Sequence, residues 1–194
     1  MKLNLPNKLT ILRLILIPWC IAVIVFPVFD GDTAWRLIAA ALFGLTAMTD
    51  MLDGAIARKY DMITDFGKFL DPLADKMLIF GAMLAVLVRF SDEKRFISVF
   101  VWAVFIVILR ETAVTSLRMI ASQKQGVVIA AGMLGKIKTV TQMLCIITIL
   151  LEGLLPFDTY FLLSYVTTAV MTVMTVWSGI DYFRVYIPLL DPGK

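Results

Sequence analysis

Asp50-Met51-Leu52-Asp53-Gly54-Ala55-Ile56-Ala57-Arg58, then eight residues, then Gly67-Lys68-Phe69-Leu70-Asp71-Pro72-Leu73-Ala74-Asp75: four aspartates break into a chain that is otherwise mostly apolar. Apolar runs lie on either side, Leu37 to Ala47 before the first cluster and Met77 to Val88 after the second. An acidic side chain at the centre of a spanning helix opposes insertion by about 2.5 to 3.5 kcal/mol, so these four need compensation. At about 3.6 residues per turn, positions three and four apart share a face. Asp50, Asp53, Gly54 and Ala57 therefore form one stripe, and Gly67, Asp71 and Asp75 another. Two such stripes facing each other make a box of four carboxylates.

Like charges that close cannot stay ionised in a low-dielectric site without counter-charge, so the box either takes up protons or binds cations. Its ligands are all oxygen, which favours magnesium or manganese. The chain has no histidine, which removes the commonest general base and the commonest zinc ligand. Carboxylates are left to move protons and to hold metal. The two cysteines, Cys20 and Cys145, stand in separate apolar stretches without metal-ligand spacing, which argues against a disulfide framework or a zinc site.

The remainder of the 194 residues says where this chemistry takes place. The chain is 60% hydrophobic with a mean hydropathy of +0.90, beyond the range of soluble domains. An all-α integral membrane protein is expected, with six spans at roughly 10–29, 35–59, 65–89, 96–121, 135–153 and 159–187. Turn signals separate them: Asp30-Gly31-Asp32, Asp61 to Thr64, Ser91 to Lys94, Ser122 to Gly126 and Gly153 to Asp158. The first apolar stretch is read as a span and not a secretory signal, because it carries Pro18 and Pro27 and is followed by acidic residues where a cleavage site would need small ones. Asn4 to Arg13, with Pro6 and Thr10, reads as a short N-terminal interfacial segment. No internal repeat or second domain is visible, so residues 1–194 are expected to form one helical bundle.

Short connections make neighbouring helices antiparallel, and that threading gathers the charges at one end. Asp50, Asp53 and Arg58 close the second span, while Asp65, Asp71 and Asp75 open the third. Arg110, Glu111 and Arg118 lie toward the same end of the fourth, Lys136 and Lys138 open the fifth, and Asp181 and Arg184 close the sixth. The pattern describes a water-filled cavity open to one face. Lys2, Lys8, Arg13, Arg58, Lys59, Lys124, Lys136, Lys138, Arg184 and Lys194 fall on that side, which makes it cytoplasmic by the positive-inside bias. Arg36, Arg89, Lys94 and Arg95 fall on the other.

Paired divalent cations bridged by carboxylates clamp the attacking and leaving oxygens in phosphoryl chemistry. Gly54 and Gly67, lacking a Cβ, let a flat base or a backbone approach the helix, and Arg58 can reach an anionic or ribose group. Transfer at a pyrophosphate beside lipid is the reaction class these residues support.

The whole spacing resembles the signature of the CDP-alcohol phosphotransferases, membrane enzymes that move a substituted phosphoryl group from a CDP-linked donor to an alcohol; every fixed position is present. The resemblance implies two divalent cations, Mg2+ or Mn2+, held by Asp50, Asp53, Asp71 and Asp75, with Asp75 also the catalytic base. It places Gly54, Ala57, Arg58 and Gly67 in the nucleotide site. A second resemblance runs through Asn7-x-x-Thr10-x-x-Arg13, Arg110-Glu111, Ser116-x-Arg118 and Gly135-Lys136-x-Lys138-Thr139-x-x-Gln142. It points to the branch of the family that joins CDP-diacylglycerol to sn-glycerol 3-phosphate and releases CMP. Arg110, Arg118, Lys136 and Lys138 would bind the acceptor phosphate, with Asn7 and Thr10 as possible additions. Lys136 and Lys138 lie about 200° apart on a helix, so one of the two is expected to face inward.

Homodimerisation is implied by the family resemblance alone, and no nucleic-acid partner is expected. Competing readings keep the chemistry with another acceptor (inositol phosphate, serine or a phosphatidyl alcohol), or make the aspartates part of a cation or proton transporter. A transporter would spread its acidic groups through the membrane depth, whereas these gather at one end. Glu111 has no assigned role. The sixth span carries Ser164, Thr168, Thr172, Thr175 and Ser178 at helical spacing, a pattern of packing or dimer contact.

Overall fold

The computed structural model describes residues 5–26, 31–59, 65–125, 132–156 and 159–186, with the side chains of 5, 6, 50–59, 65, 66, 68 and 121–125 outside that description. Within it run six α-helices: α1 (Leu5–Val25), α2 (Asp32–Lys59), α3 (Asp65–Arg89), α4 (Lys94–Gln125), α5 (Met133–Leu151) and α6 (Leu162–Tyr186), with a 3-10 turn, Glu152–Leu154, between the last two. The described residues contain no strand. At about 1.5 Å per residue the shortest helix, α5, is about 28 Å long, close to the hydrocarbon thickness. The 32 residues of α4 exceed it, and the apolar span within α4 ends at Ile120.

Every helix buries one stripe and turns apolar side chains outward from another. Ile17, Cys20 and Ile24 of α1 pack with Trp35, Ala39 and Phe43 of α2, Leu78, Ala82 and Val86 of α3, Phe100 and Val107 of α4, and Ile146 and Ile149 of α5. Outside stand Trp19, Leu45, Leu84, Trp102, Leu144 and Trp177, one from each helix in turn and all exposed. An apolar exterior on every helix is stable only where the surroundings are lipid. Four helices, α1, α4, α5 and α6, are long and apolar enough to span by themselves. α2 and α3 carry the acidic turns and do not stand among those four.

α1 packs on α2 and α3, α5 on α6 and α2, and α4 chiefly on α6. The Ser/Thr stripe of α6 is settled by this packing. Ser164, Thr168, Thr175 and Ser178 are buried inside the chain's own bundle, with Thr168 Oγ1 3.5 Å from Cys145 Sγ of α5. Small hydroxyl residues let these helices approach closely.

The expected interfacial segment at the N-terminus is a correction. Residues 5–13 continue unbroken into α1, and Asn7, Thr10 and Arg13 are buried against the bundle instead of lying at the membrane surface. Pro6 falls in the first helical turn, where a missing N–H costs nothing.

The end of the bundle away from the aspartates is closed by aromatic and ionic contacts. Trp35 Nε1 donates to the Val23 carbonyl at 2.7 Å, and the Arg36 guanidinium pairs with Asp32 and donates to the Leu150 carbonyl. Gly153 makes room for that guanidinium, since a Cβ there would meet Arg36 Cζ at 2.5 Å. Glu152, 5% exposed, accepts the backbone N–H groups of Leu163 and Ser164 and the Ser164 hydroxyl. Its carboxylate caps α6 and fixes the hairpin. A cavity of about 320 Å³ opens here beside Arg36, Phe90 and Glu152, but both carboxylate oxygens of Glu152 are spent on the cap.

Candidate active site

At the other end, three polar residues of α1 organise the acidic ridges. Asn7, Thr10 and Arg13 share a face and are 6%, 1% and 0% exposed. Thr10 donates from Oγ1 to Asp71 Oδ1 of α3 at 2.8 Å, and Arg13 Nε donates to Thr49 Oγ1 of α2 at 3.3 Å. Thr10 and Arg13 are about 4.5 Å apart along the helix axis. One turn of α1 is thus tied both to the residue preceding Asp50 and to Asp71, which brings the acidic end of α2 and the acidic start of α3 to one level.

Asp71 and Asp75 are half-buried one turn apart on α3, and Gly67 is buried one turn before them. Asp50, Asp53, Gly54, Ala57 and Arg58 lie on the last turns of α2, with their side chains outside the described residues. Among the described residues alone, no three metal-binding side chains cluster. The donors α3 does present fit a hard divalent cation: both are carboxylates, both are partly open, and Asp71 is held at Oδ1 by a hydroxyl. A ligating carboxylate is characteristically oriented by such a second partner.

Beside the acidic ridge lies a basic one built from α4, α5 and α6. Glu111 Oε1 accepts from Arg110 NH1 at 3.1 Å and from Lys138 Nζ. The other arm of Arg110, NH2, donates to Ser178 Oγ of α6 at 2.6 Å, and its guanidinium lies 5.2 Å from the Tyr182 ring centre. Arg118, exposed at the rim, donates to the Tyr182 hydroxyl. Lys76, next to Asp75, donates to Thr115 Oγ1 of α4 at 2.5 Å. The ridges touch electrostatically, since Asp75 acts on Lys138 and Lys76 acts on Glu111.

Lys138 is 6% exposed and Lys136 faces outward, so of this pair only Lys138 belongs to the cluster. Three polar atoms of the same helices, Arg110 Nε, Gln142 Nε2 and Thr175 Oγ1, are buried with no hydrogen-bond partner. Buried donors without partners mark places where a ligand or water completes the bonding.

Sequence reasoning did not find the part played by Glu111, nor the partners Thr49, Thr115, Ser178 and Tyr182. Arg13 did stand in a motif, Asn7-x-x-Thr10-x-x-Arg13, whose spacing of three was the available signal. Ser178 stood in the Ser/Thr stripe read as packing or dimer contact, and nothing local marks Tyr182; both matter because α4 packs there.

Comparison with known proteins agrees along nearly the whole chain. The family model described as CDP-alcohol phosphatidyltransferase matches residues 3–177. The CDP-diacylglycerol--glycerol-3-phosphate 3-phosphatidyltransferase of Bacillus subtilis is 42% identical over 190 residues, covering 93% of each chain. A probable phosphatidylglycerophosphate synthase of Mycobacterium tuberculosis is 37% identical, covering 92% of this chain and 79% of its own. The Haemophilus influenzae CDP-diacylglycerol--glycerol-3-phosphate 3-phosphatidyltransferase is 34% identical, covering 95% of this chain and 94% of its own.

Proposed function

The chain belongs to the CDP-alcohol phosphatidyltransferase family, and from that premise we propose that it transfers the phosphatidyl group of CDP-diacylglycerol to sn-glycerol 3-phosphate, giving phosphatidylglycerophosphate and CMP. The observation that carries the choice of acceptor is the buried pair Arg110 and Lys138, of which Lys138 is within electrostatic reach of Asp75. Two cations there favour an anionic acceptor over a neutral or cationic alcohol. Relatives named for this reaction support it over 93% and 95% of the chain.

Members of this family use divalent cations. In this reading Asp50, Asp53, Asp71 and Asp75 hold two of them, Mg2+ or Mn2+, and Thr10 keeps Asp71 oriented. When bound, such ions supply charge neutralisation at the donor diphosphate. Gly54, Ala57, Arg58 and Gly67 cradle the CDP portion. Arg110 and Lys138 hold the acceptor phosphate, Arg118 stands at the entrance, and the outward-facing Lys136 is left out of the site. Asp75 accepts the proton of the glycerol 1-hydroxyl as its oxygen attacks the lipid-side phosphorus. The bond from that phosphorus to the bridging oxygen breaks and CMP departs. Positioning and electrostatics supply most of the rate, as in other phosphoryl transfers.

We read all six helices as spans, with α2 and α3 completed by their charged turns, and the site as facing the cytoplasm of the cell membrane, as the basic-residue bias supports. The family resemblance adds a homodimer, which a two-chain mass by light scattering in detergent would support.

The deciding experiment supplies purified protein with CDP-diacylglycerol and a panel of acceptors, with and without Mg2+, and measures CMP. Release with glycerol 3-phosphate and with no other acceptor is expected. Release with inositol phosphate, serine or a phosphatidyl alcohol instead reassigns the acceptor, and ion flux in liposomes without nucleotide turnover makes the protein a transporter.

A further inference from the structure

Arg110 and Glu111 are neighbours in sequence, and a helix separates consecutive side chains by about 100°. Arg110 accordingly turns to α6 and Ser178, while Glu111 turns to α5 and Lys138. The two nonetheless meet, because Glu111 Oε1 accepts from both Arg110 NH1 and Lys138 Nζ. One oxygen atom therefore holds a guanidinium and an ammonium side by side, with side chains that are 9% and 7% exposed. Two buried cations that close repel each other, and without an anion between them they would separate.

The donors are not used up by this arrangement. An ammonium has three N–H groups, and Glu111 is the one described acceptor for Lys138. Arg110 Nε has no partner although the residue is nine-tenths buried. What remains is a pair of cations at fixed separation with unspent donors, which suits a group carrying several acceptor oxygens on one centre.

We propose that Glu111 is a positioning residue for the acceptor: its carboxylate sets Lys138 and Arg110 at the spacing that grips a phosphate monoester, without itself touching substrate. This rests on the reading of Arg110 and Lys138 as the acceptor phosphate site. It gives Glu111 a role in acceptor affinity that a simple α4–α5 ion pair would not have. A purely structural pair would alter both substrates' KM values, kcat and thermal stability together.

The test is the kinetics of the full-length enzyme in detergent micelles, with CDP-diacylglycerol and glycerol 3-phosphate varied separately. Glu111→Gln should raise KM for glycerol 3-phosphate at least tenfold, with kcat and KM for CDP-diacylglycerol within twofold of the parent. In a Lys138→Gln background the same change should add less than twofold, because no pair of cations is then left for Glu111 to space. An unchanged acceptor KM in folded Glu111→Gln, or a full additional loss in the double variant, overturns the proposal. If Glu111→Gln does not fold, Glu111→Asp decides: a several-fold rise confined to the acceptor KM supports it, and equal changes for both substrates overturn it. If Lys138→Gln and Arg110→Gln themselves leave the acceptor KM unchanged, the acceptor-site reading falls. If they raise it and Glu111→Gln does not, only this inference falls.

Discussion

Thr10→Val removes one hydroxyl and keeps the branched side chain. Thr10 is 1% exposed, and valine has the same branched shape, so no cavity opens. What disappears is the 2.8 Å donation to Asp71 Oδ1. A hydrogen bond to a charged group contributes about 1.5 to 3 kcal/mol. At about 1.36 kcal/mol per factor of ten, full loss in the active geometry lowers turnover by roughly 10- to 150-fold. The same freed carboxylate is a poorer metal ligand, and loss of an orienting partner costs roughly 10- to 100-fold in metal affinity. The assay is CMP release across a Mg2+ titration for the parent, Thr10→Val and Thr10→Ser. The midpoint should move to higher Mg2+ in the valine variant and return toward the parent with serine, which restores the hydroxyl. Parent-like turnover and an unmoved midpoint in Thr10→Val would refute the idea that α1 orients Asp71.

Two further outcomes follow from the geometry. Glu152→Gln keeps the size of the side chain but presents an amide where the Leu163 and Ser164 N–H groups need acceptors, so thermal unfolding in detergent should show a loss of about 2 kcal/mol with kcat unchanged; an unshifted transition would mean the cap carries no stability. Lys138→Gln should raise the acceptor KM by more than about tenfold, the worth of one charge-assisted hydrogen bond, while Lys136→Gln stays near the parent value; equal effects would contradict the inward placement of Lys138 alone.

Much of the fold could be read in advance because the chain punctuates itself. Uncharged runs are too apolar for anything but lipid, and charged turns mark their ends, so the expected third span, 65–89, and α3, Asp65–Arg89, coincide. The fourth helix runs further than expected, to Gln125, because Ser122 and Lys124 do not break a helix that has already left the apolar zone. The N-terminal segment was misread for a similar reason. Asn7, Thr10 and Arg13 look like interface residues by type, and only the tertiary fold shows that their polar face meets Asp71 and Thr49. That Asp71 and Asp75 share one face of α3 was legible because i,i+4 spacing is a local property of a helix. Glu111 was not, since its meaning lies in Lys138, 27 positions away on another helix.

Asp75→Asn gives the most direct test that the acidic ridge performs the chemistry. Binding of CDP-diacylglycerol to the purified variant should stay within a few-fold of the parent, while CMP release with glycerol 3-phosphate falls by about a hundredfold to ten-thousandfold, the range a lost general base costs. Parent-level CMP release by Asp75→Asn, with glycerol 3-phosphate still converted to lipid product, would contradict it.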